Sequence, residues 1–142
     1  MELLFLKPND IKVVLETVRK NEYTIKAITN SINEFGFLNP ILVNQANELI
    51  CGEARLQAAL ILKMELIPCI IVDMSLEKAS AYNLIDNQIQ ELSGWNHIKK
   101  RKRIKQIGIN IDKYGLYDEM KGVKEIDKFF IKQNESSLFD HL

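Results

Sequence analysis

Four short runs of apolar residues, separated by polar loops, predict the strands of a sheet. The runs cover residues 3–6, 41–43, 48–51 and 67–72. Pro8 and its polar neighbours follow the first run, so that run is expected at a sheet edge. The last run is nearly continuous and β-branched, as in a strand that is buried on both faces. Residues 44–47, N-Q-A-N, form a polar cluster that predicts a hairpin loop between the second and third runs.

Apolar residues spaced by three and four predict helices between these strands. The spacing favours a helix over residues 11–19, and it predicts an amphipathic helix over residues 24–35 that Gly36 ends in a left-handed conformation. Ser75 is a suitable N-cap for a further helix, which carries an apolar stripe as far as a stop at Gly94.

The third strand runs directly into a glycine turn that opens another helix. The turn consists of Gly52, Glu53, Ala54 and Arg55. Unpaired backbone N–H groups at a helix start favour an anion, a glycine lets a phosphate approach closely, and an arginine adds a positively charged fork. The pattern G-x-x-R therefore indicates a phosphate site. The alternative is a simple glycine turn beside a surface arginine.

The helix that Ser75 caps has an unusual polar side. Asn83, Asn87 and Gln90 recur at spacings of four and three, and Asp86 lies beside them. Amides and a carboxylate thus share a face on which a surface helix usually carries lysine and glutamate. This face is either part of a binding site or a neutral surface exposed to solvent.

Composition limits the class of protein. The 142 residues contain 19 basic and 19 acidic side chains, so bulk charge does not hold the chain on nucleic acid. Cys51 and Cys69 both lie in strand-like runs without the spacing of a zinc site, which predicts buried free thiols in a reducing cytoplasm. No dedicated metal site of cysteine and histidine ligands, no signal peptide and no membrane-spanning segment is expected.

Charge is concentrated locally after residue 96. Six cations without an intervening acid decorate a predicted helix of about three turns. They are Lys99, Lys100, Arg101, Lys102, Arg103 and Lys105. Trp95 is expected to pack as an anchor before this helix. The cluster either neutralises DNA phosphates or is a solvated face that pairs with the acidic residues of the tail.

Four blocks of the sequence together resemble the ParB N-terminal domain, also called the ParB-like nuclease or ParB/sulfiredoxin domain. The blocks are S-I-N-E-F-G-F-L-N-P-I-L-V at 31–43, C-G-E-A-R-L-Q-A-A at 51–59, I-P-C-I-I-V-D at 67–73 and Y-N-L-I-D-N-Q-I-Q-E-L-S-G-W-N at 82–96. The closest version occurs in phage and mobile-element proteins and in front of some DNA methyltransferases. The resemblance implies an α+β fold, a small mixed β-sheet flanked by helices, with a C-terminal helical extension. The expected divisions are residues 1–96, 97–133 and a disordered tail at 134–142.

The resemblance also implies a nucleotide pocket between the glycine turn and the later helix. Members that bind a nucleoside triphosphate use G-E-R-R, which corresponds to residues 52–55, and E-N, which corresponds to Asp86 and Asn87. Two departures bear on such a ligand, because Ala54 lacks one cation and Asp86 is one methylene shorter than glutamate. Sulfiredoxin places its reactive cysteine where this chain has Glu53, so redox chemistry of that kind is not expected.

These observations predict an accessory protein of DNA metabolism from a phage, plasmid or other mobile element. The pocket would hold CTP or ATP with Mg²⁺, or a nucleic-acid phosphate, through residues 52–55, Asn83 and Asn87. Glu53 or Asp86 would hold a metal or orient water. DNA and a protein such as a methyltransferase or a partition or replication factor are the expected partners. The alternatives are a docking module without catalysis and a metal-dependent nuclease or phosphotransferase, so enzymatic activity stays open.

Overall fold

A four-stranded mixed sheet forms the centre of the fold. A computed structural model of the protein describes residues 1–17 and 22–115. The strands are β1 (Glu2–Leu6), β2 (Ile41–Asn44), β3 (Leu49–Cys51) and β4 (Ile67–Val72), in the spatial order β1-β4-β2-β3. β4 is antiparallel to β1 and parallel to β2, while β2 and β3 form an antiparallel hairpin. The four predicted runs are therefore strands, and the first lies at an edge as expected.

Two helices, α2 and α3, pack against opposite faces of this sheet. Within the described residues the α-helices are α1 (Glu22–Phe35), α2 (Glu53–Ile61), α3 (Leu76–Leu92) and α4 (His97–Gln106). Short 3₁₀ turns lie at Pro8–Asp10 and Ile111–Tyr114. α1 packs on α2, α2 packs on β2, and α3 packs on β3. The predicted α+β class with a small mixed sheet is confirmed.

The alternation of side chains along the strands divides the buried residues into two clusters. The larger cluster consists of Ile11, Ile41, Val43, Leu49, Leu56, Ala59, Ile67 and Cys69. The smaller cluster consists of Ile50, Cys51 and Ala79, with Leu42 and Val72 packed against it. Successive residues of a strand point to opposite faces, so α2 and α3 each cover a different side of the sheet.

The prediction of a helix over residues 11–19 is wrong for residues 11–17, which the structure describes as non-helical. Lys12 forms an isolated parallel bridge with Glu48, and its backbone exchanges 2.8 Å hydrogen bonds with the O atom of Asn47 and the N atom of Leu49. Ile11 is buried while Val13 and Val14 are exposed. Pairing with the edge of β3 overrides the local helical spacing, as tertiary contacts commonly do. Residues 18–21 lie outside the described part of the chain.

Two further expectations concern caps and exposure. Gly36 follows α1 with φ +86°, and Ser75 caps α3 by accepting a hydrogen bond from the N atom of Lys78, so both predicted caps are confirmed. The apolar stripe of α3 is exposed, as at Ile85 and Ile89, since α3 turns its amide side to β3. Trp95 is also largely exposed, and its role as an anchor stays a prediction.

The described residues divide into two compact units. The first contains Met1–Trp95 and Lys113–Gly115, and the second contains Asn96–Asp112. Within the first unit, Asn30 donates a 2.8 Å hydrogen bond to the O atom of Lys113, and the rings of Phe35 and Tyr114 are 6.2 Å apart. The predicted boundaries at 96 and 133 stay predictions. Residues 116–142, with the predicted disordered tail, lie outside the described part.

Candidate phosphate site and its relatives

The glycine turn between β3 and α2 has the geometry that the sequence predicts. Gly52 has φ +105° and ψ +31°, and α2 begins at Glu53. A Cβ atom at Gly52 would lie 2.6 Å from Cγ2 of Ile41, so both the conformation and the available space require glycine. Leu56 donates its N–H to the O atom of Gly52 at 2.9 Å, and Gly52, as the N-cap residue, has no side chain with which to cap the helix. The preceding N–H groups of the first turn therefore remain without helical acceptors.

Arg55 is fixed to the protein by part of its guanidinium group. Its Nη1 atom donates to the O atom of Asn39 at 2.7 Å and to the O atom of Pro40 at 2.6 Å. Burial lowers the pKa of Arg55, and the nearby Cys51 and Asp86 oppose that shift. Arg55 is thus a structural residue for the segment before β2. Its Nη2 atom lies at the turn, 3.1 Å from the position of a Cβ at residue 52.

The amide face of α3 is attached to β3 by its own side chains. Nδ2 of Asn83 donates to the O atom of Ile50 at 2.8 Å and contacts Sγ of Cys51 at 3.7 Å. Nδ2 of Asn87 donates to the O atom of Asn83 at 2.9 Å, and Nε2 of Gln90 donates to Oδ2 of Asp86 at 3.3 Å. The bonds of Asn83 attach α3 to β3, whereas the bonds of Asn87 and Gln90 lie within α3 and fix the side chains of its polar face.

The turn and the amide face line one cavity of about 270 Å³. Every residue that the sequence assigns to the phosphate site or to catalysis lines it. They are Gly52, Glu53, Ala54, Arg55, Asn83, Asp86 and Asn87. The backbone N–H groups in the first turn of α2 can bind an anion in this cavity, and the carboxylates of Glu53 and Asp86 can bind a cation.

Sequence reasoning missed one wall of this cavity. Leu15, Glu16 and Thr17 line it, and Oγ1 of Thr17 donates a hydrogen bond to Oε2 of Glu53. The helix predicted over residues 11–19 concealed this wall, because a non-helical segment directs its side chains differently. A warning signal was available in Thr17, whose β-branched side chain is unfavourable in a helix.

Both cysteines are buried free thiols, as predicted. Burial raises the pKa of Cys51, which the hydrogen bond from Asn83 partly counteracts. Burial also raises the pKa of Cys69. A smaller thiolate fraction makes both groups poor nucleophiles.

The cationic segment of the second unit forms a helix of the predicted length. α4 spans His97–Gln106, and Oδ1 of Asn96 caps it by accepting the N–H of Lys99 at 3.0 Å. The side chains of Lys99, Lys102, Arg103 and Lys105 are exposed, while Lys100 is half-buried. The predicted nucleic-acid residues thus lie together on one helix.

The described residues contain neither a cluster of metal-ligating side chains nor a membrane-spanning helix. No three histidine, cysteine, aspartate or glutamate side chains there converge in a way that could hold a metal ion. None of the helices in residues 1–17 and 22–115 has the length and hydropathy needed to cross a membrane.

Comparison with known proteins agrees with the resemblance read from the motifs. The sequence profile of the ParB N-terminal domain matches residues 4–88. A probable chromosome-partitioning protein ParB of Helicobacter pylori is 40% identical over 70 residues, which are 47% of this chain and 24% of that protein. A probable plasmid-partitioning protein ParB of Thermus thermophilus is 29% identical over 125 residues, which are 83% of this chain and 42% of that protein.

A solved structure supports the same conclusion for the fold. The C-terminally truncated chromosome-partitioning protein ParB of Caulobacter crescentus, complexed with CTP-γ-S, superposes with a TM-score of 0.63 at 18% identity, over 80% of this chain and 68% of that one. The chain spans less than half the length of the two partitioning proteins above. The matched profile covers more than half of the chain, and the chain therefore belongs to the ParB N-terminal domain family.

Proposed function

We propose that this protein binds the phosphates of a nucleotide, or of a nucleic acid, at the turn between β3 and α2. The observation that carries the proposal is the shared cavity, because it brings the uncapped start of α2 together with the amide face of α3. The backbone N–H groups of residues 53–55 would donate to phosphate oxygens, and Nη2 of Arg55 would add positive charge. Asn87 would hydrogen-bond a phosphate or a ribose by exchanging the bond that its Nδ2 atom now makes to the O atom of Asn83, which lies within the same helix.

Asn83 has a different part in this proposal. Its Nδ2 atom is already bonded to the O atom of Ile50, so its main contribution is to hold α3 beside the turn. CTP and ATP with Mg²⁺ are the first ligands to test, since a ParB of this fold was solved with CTP-γ-S. Mg²⁺ commonly takes one or two carboxylates together with substrate phosphates, and Glu53 and Asp86 supply such carboxylates in the cavity.

The second part of the proposal concerns DNA. α4 carries six cations within ten residues and has no acid in its first turn. Cations clustered on one helix neutralise several phosphates of a duplex without reading bases. We therefore propose an accessory role in the DNA metabolism of a mobile element, with a methyltransferase or a partition or replication factor as protein partner. The plasmid-partitioning relative supports this setting.

The decisive experiment is a calorimetric titration with CTP, ATP and GTP, each with and without Mg²⁺. At least one nucleotide should bind, and Asn87→Ala should weaken it by about tenfold, since a lost hydrogen bond to a charged phosphate costs about 1.5 kcal/mol or more. Gln88→Ala is the matched control, because Gln88 is exposed on α3 and does not line the cavity. If no nucleotide and no DNA binds, a docking module replaces the proposal. Hydrolysis of nucleotide or DNA by the wild type, lost in Asp86→Asn, would favour the metal-dependent enzyme.

A further inference from the structure

Glu53 occupies a position in which its carboxylate competes with any anionic ligand. It is the first residue of α2, and the unpaired N–H groups of that helix start attract negative charge. A glutamate there would ordinarily interact with these groups itself, as acidic residues in a first turn do. In this protein the N-cap residue is Gly52, which has no side chain to cap the helix. The Glu53 residue lines the same cavity, but its carboxylate accepts a hydrogen bond from another segment of the chain.

The hydroxyl of Thr17 holds the carboxylate of Glu53. Oγ1 of Thr17 donates to Oε2 of Glu53 across 36 positions of sequence. The non-helical segment that carries Thr17 is itself held in place, because Lys12 pairs with the edge of β3 and Leu15 packs against the cluster around Ile50. The donor thus comes from a segment outside α2 that also lines the cavity.

We propose that Thr17 is a positioning residue that draws the Glu53 carboxylate away from the start of α2 and so keeps the backbone N–H groups available to phosphate. This inference rests on the proposed function, since it concerns the same site. Without the hydroxyl, the carboxylate turns toward the unpaired N–H groups and competes with the ligand. Thr17 therefore affects affinity only indirectly, by determining where the negative charge of Glu53 lies.

Valine replaces threonine with nearly the same shape and no hydroxyl, so Thr17→Val isolates the hydrogen bond. The affinity for Mg²⁺-CTP, Mg²⁺-ATP and pyrophosphate, measured by calorimetry, should fall about three- to tenfold, the range expected for a carboxylate at a helix start. Thr17→Ser keeps the hydroxyl and should restore wild-type affinity. Thr29→Val is the matched control, because Thr29 lies on α1 outside the cavity and its hydroxyl also donates one hydrogen bond, to the O atom of Ile25, so the change should alter affinity less than twofold.

The charge of Glu53 supplies the second arm of the test. In a Glu53→Gln background, Thr17→Val should have no further effect, since a neutral amide competes poorly for the N–H groups. An equal loss in both backgrounds would overturn the proposal and make Thr17 a ligand contact or a merely structural residue. No loss in the wild-type background would overturn it as well.

A ligand-free measurement separates this inference from the proposed function. Amide hydrogen exchange of Ala54 and Arg55, followed by NMR without nucleotide, should slow in Thr17→Val, because the released carboxylate now accepts from these groups. Unchanged exchange would refute the positioning role even if every nucleotide binds. If the wild type binds none of the three probes, the proposed function fails, and the exchange data alone decide whether Thr17 restrains Glu53.

Discussion

Replacement of Arg55 distinguishes the structural contribution of this residue from its contribution to binding. Nη1 of Arg55 bonds two backbone carbonyls, those of Asn39 and Pro40, just before β2. A hydrogen bond to a charged group contributes about 1.5 to 3 kcal/mol. The carbonyl of the exposed Asn39 regains water when the bond is lost, so we expect Arg55→Ala to lower the free energy of unfolding by about 2 kcal/mol in total. For a chain of this size the melting temperature should fall by roughly 5–10 °C.

The assay combines urea unfolding with nucleotide titration on the same variants. Arg55→Lys keeps the charge but replaces the planar fork by a single ammonium group, so its stability should lie between those of the wild type and Arg55→Ala. Nucleotide affinity should fall about tenfold in Arg55→Ala and less in Arg55→Lys. Arg103→Ala removes an exposed arginine from α4 and should change stability by less than about 0.5 kcal/mol.

The two measurements can refute different parts of this reasoning. If Arg55→Ala is as stable as the wild type, the bonds to the two carbonyls do not contribute as the geometry indicates. If stability falls while nucleotide affinity is unchanged, Arg55 is a structural residue only, and phosphate binding depends on the backbone groups of the turn.

Three other predictions follow from the glycines, the thiols and α4. Gly52→Ala should lower the free energy of unfolding, measured in urea, by about 2–4 kcal/mol, because the new Cβ clashes with Ile41 in addition to the strain of the left-handed backbone. Gly36→Ala meets no atom within 4 Å and should lower it by only about 1 kcal/mol, so equal losses in the two variants would contradict this reasoning. Cys51 and Cys69 should react slowly with a thiol reagent at neutral pH until urea unfolds the chain, since burial raises the pKa of both thiols. Labelling of the folded protein as fast as that of a free thiol would refute this prediction. Glutamine at four positions of α4 should weaken DNA binding equally for all DNA sequences. The slope of the logarithm of the binding constant against the logarithm of salt concentration should become shallower by about 0.9 per lost phosphate contact. Unchanged binding would show that these side chains form only a solvent-exposed face. The four positions are Lys99, Lys100, Arg101 and Lys102.

The turn could be predicted because its determinants lie within a few residues of one another. A strand run, a glycine and a helical repeat adjoin at Cys51, Gly52 and Leu56, and each signal is local. The hairpin loop is equally local, since Oδ1 of Asn44 accepts from the N atoms of Ala46 and Glu48 at 3.0 and 2.9 Å. Such contacts are fixed by short-range geometry, which a single sequence displays directly.

The wall at residues 11–17 could not be predicted in the same way. Its apolar residues fit a helical period, but its conformation is decided by hydrogen bonds between Lys12 and the hairpin, more than thirty residues away. Local pattern contains no information on that pairing, and the strand edge satisfies backbone groups that a short helix would otherwise satisfy itself. The link from Thr17 to Glu53 was hidden for the same reason.

α3 shows why the composition of a site is easier to predict than its orientation. The sequence places Asn83, Asp86 and Asn87 on one face, but hydrophobicity alone would direct the opposite side of the helix, with Ile85 and Ile89, toward the sheet. Two contacts reverse that expectation. Ala79 is small enough for α3 to approach β3 closely and is fully buried there, and Asn83 hydrogen-bonds the O atom of Ile50 one turn later. Since a buried carbonyl without a partner is costly, this bond fixes the rotation of α3, and that rotation brings the polar face to the cavity.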